Sequence, residues 1–132
     1  MPFKTSELLD NTDLMLTESM NQMGETQKYR KDYAPFVMTL VNGVLADCFE
    51  FNNAMRENKG MEPLEEMPVV RSETDVIPYE YETLRMLMVY RLAYWLLFQD
   101  EENIKANAML EEYELNMQKM SKALYTPIES IW

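Results

Sequence analysis

The chain has 132 residues, 47% of them apolar and 27% charged, a mix that suits one globular domain and excludes wholesale disorder. Three Gly and six Pro are too few turn formers for a many-stranded sandwich or barrel. With 23 acids against 12 bases the net charge is −11 and His is absent, which excludes His-dependent nucleophile systems, His-ligated zinc and the Glu-x-x-His di-iron bundle, and argues against a phosphate-binding surface.

In chain order, a first helix is predicted over 6–23, with Thr5 or Ser6 as its cap and Gly24 closing it. Leu9, Leu16, Met20 and Met23 share one face, with Asp10, Asp13 and Glu18 elsewhere. So narrow a stripe suits a helix that docks on a larger body. A second helix is predicted over 33–58, where Val37, Leu40, Val41, Val44, Leu45 and Cys48 follow the amphipathic spacing and Gly60 supplies the stop. Gly43 inside it costs about 1 kcal/mol relative to Ala, and close helix packing is its expected reason. Residues 60–78 hold Gly60, Pro63, Pro68 and Pro78 and read as a long loop, with 68–71 as a short extended piece. Connections of this length in small domains are often functional.

A third helix is predicted over 79–99. From Thr83 to Phe98 only Arg85 and Arg91 carry charge, so apolar residues surround it and burial on nearly every side is expected. A membrane span is the competitor. Those residues reach roughly 24 Å at about 1.5 Å each, short of a ~30 Å hydrocarbon core, and the two arginines oppose insertion. A buried helix in a soluble assembly is therefore expected. Asp100-Glu101-Glu102 then offers an N-cap and acidic first turn to a fourth helix over 102–124, forming a hairpin with the third. Ala106, Met109, Leu110, Tyr113, Met117, Met120 and Leu124 hold its apolar face. The tail 125–132 is apolar, and Pro127 breaks the helical pattern. The fold class expected is all-α: a single domain of about four helices with a long loop between helices two and three and an extended C-terminal tail.

No catalytic, metal or cofactor constellation emerges. The pairs Glu65-Glu66, Glu101-Glu102 and Glu111-Glu112 are adjacent residues, which do not face each other on a helix and lack calcium-loop spacing. Cys48 falls on an apolar stripe and reads as an inert core thiol; as the single cysteine it fits a reducing compartment. The first residues lack a signal-peptide apolar region, so export by that route is not expected. Two features point to interactions. One is the surplus apolar surface of helix three, where Tyr90, Tyr94 and Phe98 either complete an ordinary core or pack on another subunit. The other is the tail, with Ile128, Ile131 and Trp132. It either folds back on its own helices or docks as an aromatic anchor in a partner.

The run KTSELLDNTDLMLTESM, the helix FVMTLVNGVLADCFEF, the Pro-containing loop, and the segment VIPYEYETLRMLMVYRLAYWLLFQDEENIKANAMLEEYELNMQKM together resemble the head–tail connector (adaptor) proteins of tailed bacteriophages. The features that carry the likeness are Pro78, Tyr79-Glu80-Tyr81-Glu82, Leu92-Ala93-Tyr94, Asp100-Glu101-Glu102 and Tyr113. High Met content and the acidic balance depart from the family. The resemblance implies a non-enzymatic virion protein of the neck, assembled in the host cytoplasm. Its protomers form a ring, commonly twelvefold, beneath the portal, extend the DNA channel and dock a stopper or tail-completion protein. It further implies portal contact through Tyr125, Pro127, Ile128, Ile131 and Trp132, and contacts with the stopper or tail side through loop residues Met67, Val69, Val70 and Arg71. DNA passes through such a channel without being bound; no membrane and no cofactor are involved. Acids facing inward would repel the duplex and let it slide. A second reading from another class is an acidic DNA-mimic inhibitor, which needs carboxylates arrayed along one face at phosphate-like spacing.

Overall fold

In the computed structural model, residues 2–20, 34–99 and 101–129 are described, and the side-chain surroundings of 2–16, 36–99 and 101–121. Among the described residues four helices form the body: α1 (Thr5–Met20), α2 (Ala34–Asn58), α3 (81–99) and α4 (Asn103–Glu129). Two short strands, β1 (Phe3–Lys4) and β2 (Val76–Ile77), pair antiparallel with Phe3 opposite Ile77. The fold is a small all-α bundle, as the periodicity predicts.

The uniformly apolar stretch of α3 becomes the centre of the core. Leu84, Leu87, Met88, Leu92, Ala93 and Leu97 are fully buried, against Leu8 and Leu16 of α1, Val41, Val44 and Leu45 of α2, and Ala106 of α4. No helix of the described residues is long and apolar enough to cross a membrane. Within α3 the segment Leu84–Met88 is a π turn in which the Val89 N–H reaches Leu84 O, five residues back. Asn116 on α4 donates its Nδ2 to Met86 O at 2.9 Å, adding a donor where the helical ladder slips.

Helix ends follow the turn chemistry. At the end of α2, Gly60 takes φ 80°, its N–H bonds Glu57 O and the Met61 N–H bonds Arg56 O. This is the paired C-terminal closure for which Gly is suited. The end of α3 repeats it with Glu101 at φ 60°, bonding Phe98 O, and Glu102 bonding Leu97 O. Glu101 thus ends α3, while Glu102 opens α4 by accepting the Ala106 N–H.

Several expectations are corrected. Thr5 is no side-chain cap: its N–H and its Oγ1 both donate to Asp75 O at 2.9 Å, and the Ser6 N–H donates to Glu73 O. Loop carbonyls, rather than a hydroxyl, satisfy the first amides of α1. Asp13, expected off the apolar stripe, is buried, and so is its neighbour Thr12. Thr12 tolerates this because its Oγ1 donates to Leu8 O at 2.8 Å. A strand pairing absent from the sequence reading forms at Val76–Ile77, where the N-terminal strand is available, while 68–71 is held by the Asn42 side chain through Val70. Met23 and Gly24, the expected end of the first helix, lie outside the described residues. The tail is not extended over its first residues: α4 continues through Pro127 to Glu129, because near a helix end a Pro forfeits one N–H bond without stopping the next turn.

Gly43 does not serve close packing either. A Cβ built there meets nothing within 4 Å, so only the helical cost of glycine remains. Gly43→Ala is expected to raise the unfolding free energy by about 1 kcal/mol in urea titration; a loss of stability would mean that the residue serves a contact outside the described chain.

Candidate functional site

The loop between α2 and α3 is a strap clamped to α2. Asn42 and Asn53 stand three turns apart on one face of that helix. Each amide grips one strap residue twice. Asn53 accepts the Leu64 N–H at 2.8 Å and donates to Leu64 O at 3.2 Å; Asn42 accepts the Val70 N–H at 2.8 Å and donates to Val70 O at 3.0 Å. The two side chains thus do for the strap what a neighbouring strand would do. Between the anchors, Glu65, Glu66, Met67 and Val69 are exposed, Val69 at 68%. Val70 is buried, which corrects its expected role as a contact residue: it is an anchor, while Met67, Val69 and Arg71 remain accessible.

Beyond the strap, Asp75 Oδ2 accepts the Arg71 and Ser72 N–H groups. These bonds, Arg71's foremost, hold the Asp75 carboxyl below its ordinary range. The chain then enters the core. Tyr79 is fully buried and donates its hydroxyl to Leu45 O at 2.6 Å. Asn52, also buried, accepts the Glu80 N–H at 2.7 Å and the Thr83 hydroxyl at 3.3 Å. The Glu80 carboxylate lies 3.2 Å from Lys59 Nζ and 4.0 Å from Arg56. Burial opposes its charge, but hydrogen-bonded cationic partners, Lys59 among them, outweigh burial and hold it below the usual carboxylate range.

A second feature is an aromatic ridge. Arg91, Tyr94, Trp95 and Phe98 follow one another at helical spacing on α3. The Arg91 guanidinium carbon lies 5.3 Å from the Tyr94 ring centre and 5.2 Å from those of Trp95 and Tyr113. Its Nε donates to Asp47 Oδ2 at 3.0 Å. One cation thereby ties α2, α3 and α4 together. Tyr94, Trp95 and Phe98 pack with ring centres 5.0 to 6.1 Å apart, and Phe98 remains 49% exposed at the edge. Among the residues expected at a subunit interface, Tyr94 and Phe98 are brought together here. Tyr90 is half-buried one turn away. Arg91 and Trp95 were missed; the spacing 91, 94, 95, 98 is the signal that points to them.

Tyr90 instead lines a third feature, an open groove of about 440 Å³ between α1, α3 and α4, with Leu14, Met15, Arg85, Val89 and Met109 among its walls. Arg85 sits in the π turn and is the one charged residue of the lining. It forms no ion pair or side-chain hydrogen bond among the described residues.

Tyr125, Pro127 and Ile128 lie on the last turns of α4, where side chains are not described, and Ile131 and Trp132 lie outside the described residues. Among the described residues no group of three or more Cys, Asp and Glu side chains is placed to hold a metal ion. Cys48 is buried beside Tyr113, and burial first, then the Asp47 charge, pushes its thiol up to about 12. The native chain is therefore expected to resist iodoacetamide at pH 8 and to take up one equivalent in urea, as read by intact mass; rapid native labelling would contradict the burial. Comparison with models of known protein families, with curated proteins and with solved structures finds no match.

Proposed function

We propose that this chain is a structural head–tail adaptor of a tailed bacteriophage: a subunit that forms a ring with its own copies under the portal and extends the DNA channel. In this reading it docks the next connector or tail component and performs no catalysis. The observation that carries the reading is a set of large apolar side chains left exposed. Ile104 is 88% exposed, Val69 68%, Phe36 62% and Leu14 56%, and they are spread over α4, the strap, α2 and α1. Side chains of this kind in several places suit a subunit covered by neighbours on more than one side. The likeness of the sequence to connector proteins supplies the neighbours: copies of itself, a portal, and a stopper or tail-completion protein.

Acidity fits such a role. A wall carrying part of the −11 charge repels duplex phosphates, and DNA slides past it instead of adhering. On this reading the protein works in the neck of the virion and is assembled in the host cytoplasm, with the apolar C-terminal residues Tyr125 to Trp132 gripping the portal. Purified portal rings mixed with the chain should acquire one added ring at the tail-facing end in electron micrographs, and deletion of 127–132 should abolish that ring with the helicity kept. A chain that leaves portal rings undecorated at high concentration overturns the proposal.

A further inference from the structure

The strap and the groove are complementary, and within one chain they do not meet. The groove draws its lining from α1, α3 and α4, whereas the strap is clamped by Asn42 and Asn53 of α2. The strap offers two exposed carboxylates, Glu65 and Glu66, followed by exposed Met67 and Val69. The groove offers Arg85 as its single charge, with Asn11 and Tyr90 as polar neighbours, beside exposed Leu14 at its rim and half-buried Met15; Val89 and Met109 form its buried floor.

We propose that the groove receives the strap of a second copy of this chain, with Glu65 or Glu66 paired to Arg85 and with Met67 and Val69 laid on Leu14 and Met15. This rests on the adaptor reading for its biological setting, though not for its chemistry. Charge complementarity selects the occupant: in a chain so rich in acids, a groove whose one charge is an arginine matches an acidic, apolar extended segment. Preorganisation supports it, because Leu64 and Val70 are already held at both ends and little chain entropy is left to lose on docking. The contact joins two different patches, so it is head-to-tail, and repeated head-to-tail contacts close into a ring when the rotation permits.

The test uses the full chain with Leu14→Cys or Val69→Cys, mixed under a mild oxidant with and without portal rings; the buried Cys48 thiol stays unreactive. A disulfide-linked dimer is expected when the two variants are mixed and not from either alone, and the double variant should give a ladder of higher species. Arg85→Glu should cut the yield at least fivefold, and Glu65→Arg with Glu66→Arg should restore it. Circular dichroism of each variant checks that the helices persist. Self-linking of single variants as efficient as mixed linking, or a yield indifferent to Arg85→Glu, overturns the contact. Rings that decorate the portal without this cross-link overturn the contact and leave the adaptor reading standing. Cross-linking by a chain that never decorates the portal supports the contact and removes the adaptor reading.

Discussion

Tyr79→Ala is expected to lower the unfolding free energy by about 3–5 kcal/mol, the range for losing a fully buried aromatic side chain. Tyr79 fixes the point where the long connection dives into the core, with its ring fully buried and its hydroxyl on Leu45 O at 2.6 Å. Removal opens a cavity between the connection and α2 and takes away that hydrogen bond. Tyr79→Phe separates the two contributions. It keeps the ring and should cost about 1 kcal/mol, because Leu45 O lies within α2, whose own amide ladder still serves it. Urea titration followed by far-ultraviolet circular dichroism measures both. A Tyr79→Ala midpoint close to that of Tyr79→Phe would show that the ring is not packed as described.

The second large effect concerns the strap. Asn42→Ala and Asn53→Ala each delete a reciprocal pair of hydrogen bonds to Val70 or Leu64. At about 0.5–1.5 kcal/mol net per bond, less the better helix propensity of Ala, each change should cost about 1–2 kcal/mol. The sites stand three turns apart with separate partners, so the double variant should show near-additive losses. The clearer readout is local. A glutamyl endopeptidase should cut the double variant at Glu65 or Glu66 many times faster than the parent chain while the helical signal is intact, since cleavage follows the population of opened strap. Asn42→Asp refines the test: it keeps the acceptor for the Val70 N–H and loses the donor to Val70 O, so intermediate protection is expected. Equal cleavage rates in the parent, the double variant and Asn42→Asp would mean that the amides do not hold the strap.

The same side chains show how much of the surface was legible. The ridge was half visible: Tyr94 and Phe98 stood out as aromatics on an apolar helix, but Arg91 read only as a charge that opposes membrane insertion. Its role follows from Asp47 and Tyr113, which come from other helices and have no sequence signal that links them. The strap read as a loop because Pro63 and Pro68 exclude a helix, yet nothing in a one-dimensional pattern marks Asn42 and Asn53 as its clamps. An Asn on the flank of an amphipathic helix is ordinarily a solvated residue. Val70 next to Val69 shows the limit plainly. Two adjacent valines read alike, and extended geometry sends one into the core and the other to solvent.

The helices, the core face of α2 and α4, the central place of α3 and the stop at Gly60 are readable in the chain alone, since these depend on apolar spacing and backbone preference within a few residues. The remainder comes from packing. The pairing of Phe3–Lys4 with Val76–Ile77, the capping of α1 by carbonyls of residues 73 and 75, the π turn and the groove around Arg85 all join residues far apart in the chain. Such contacts depend on which surfaces meet once the helices pack, and local preference carries no record of that choice.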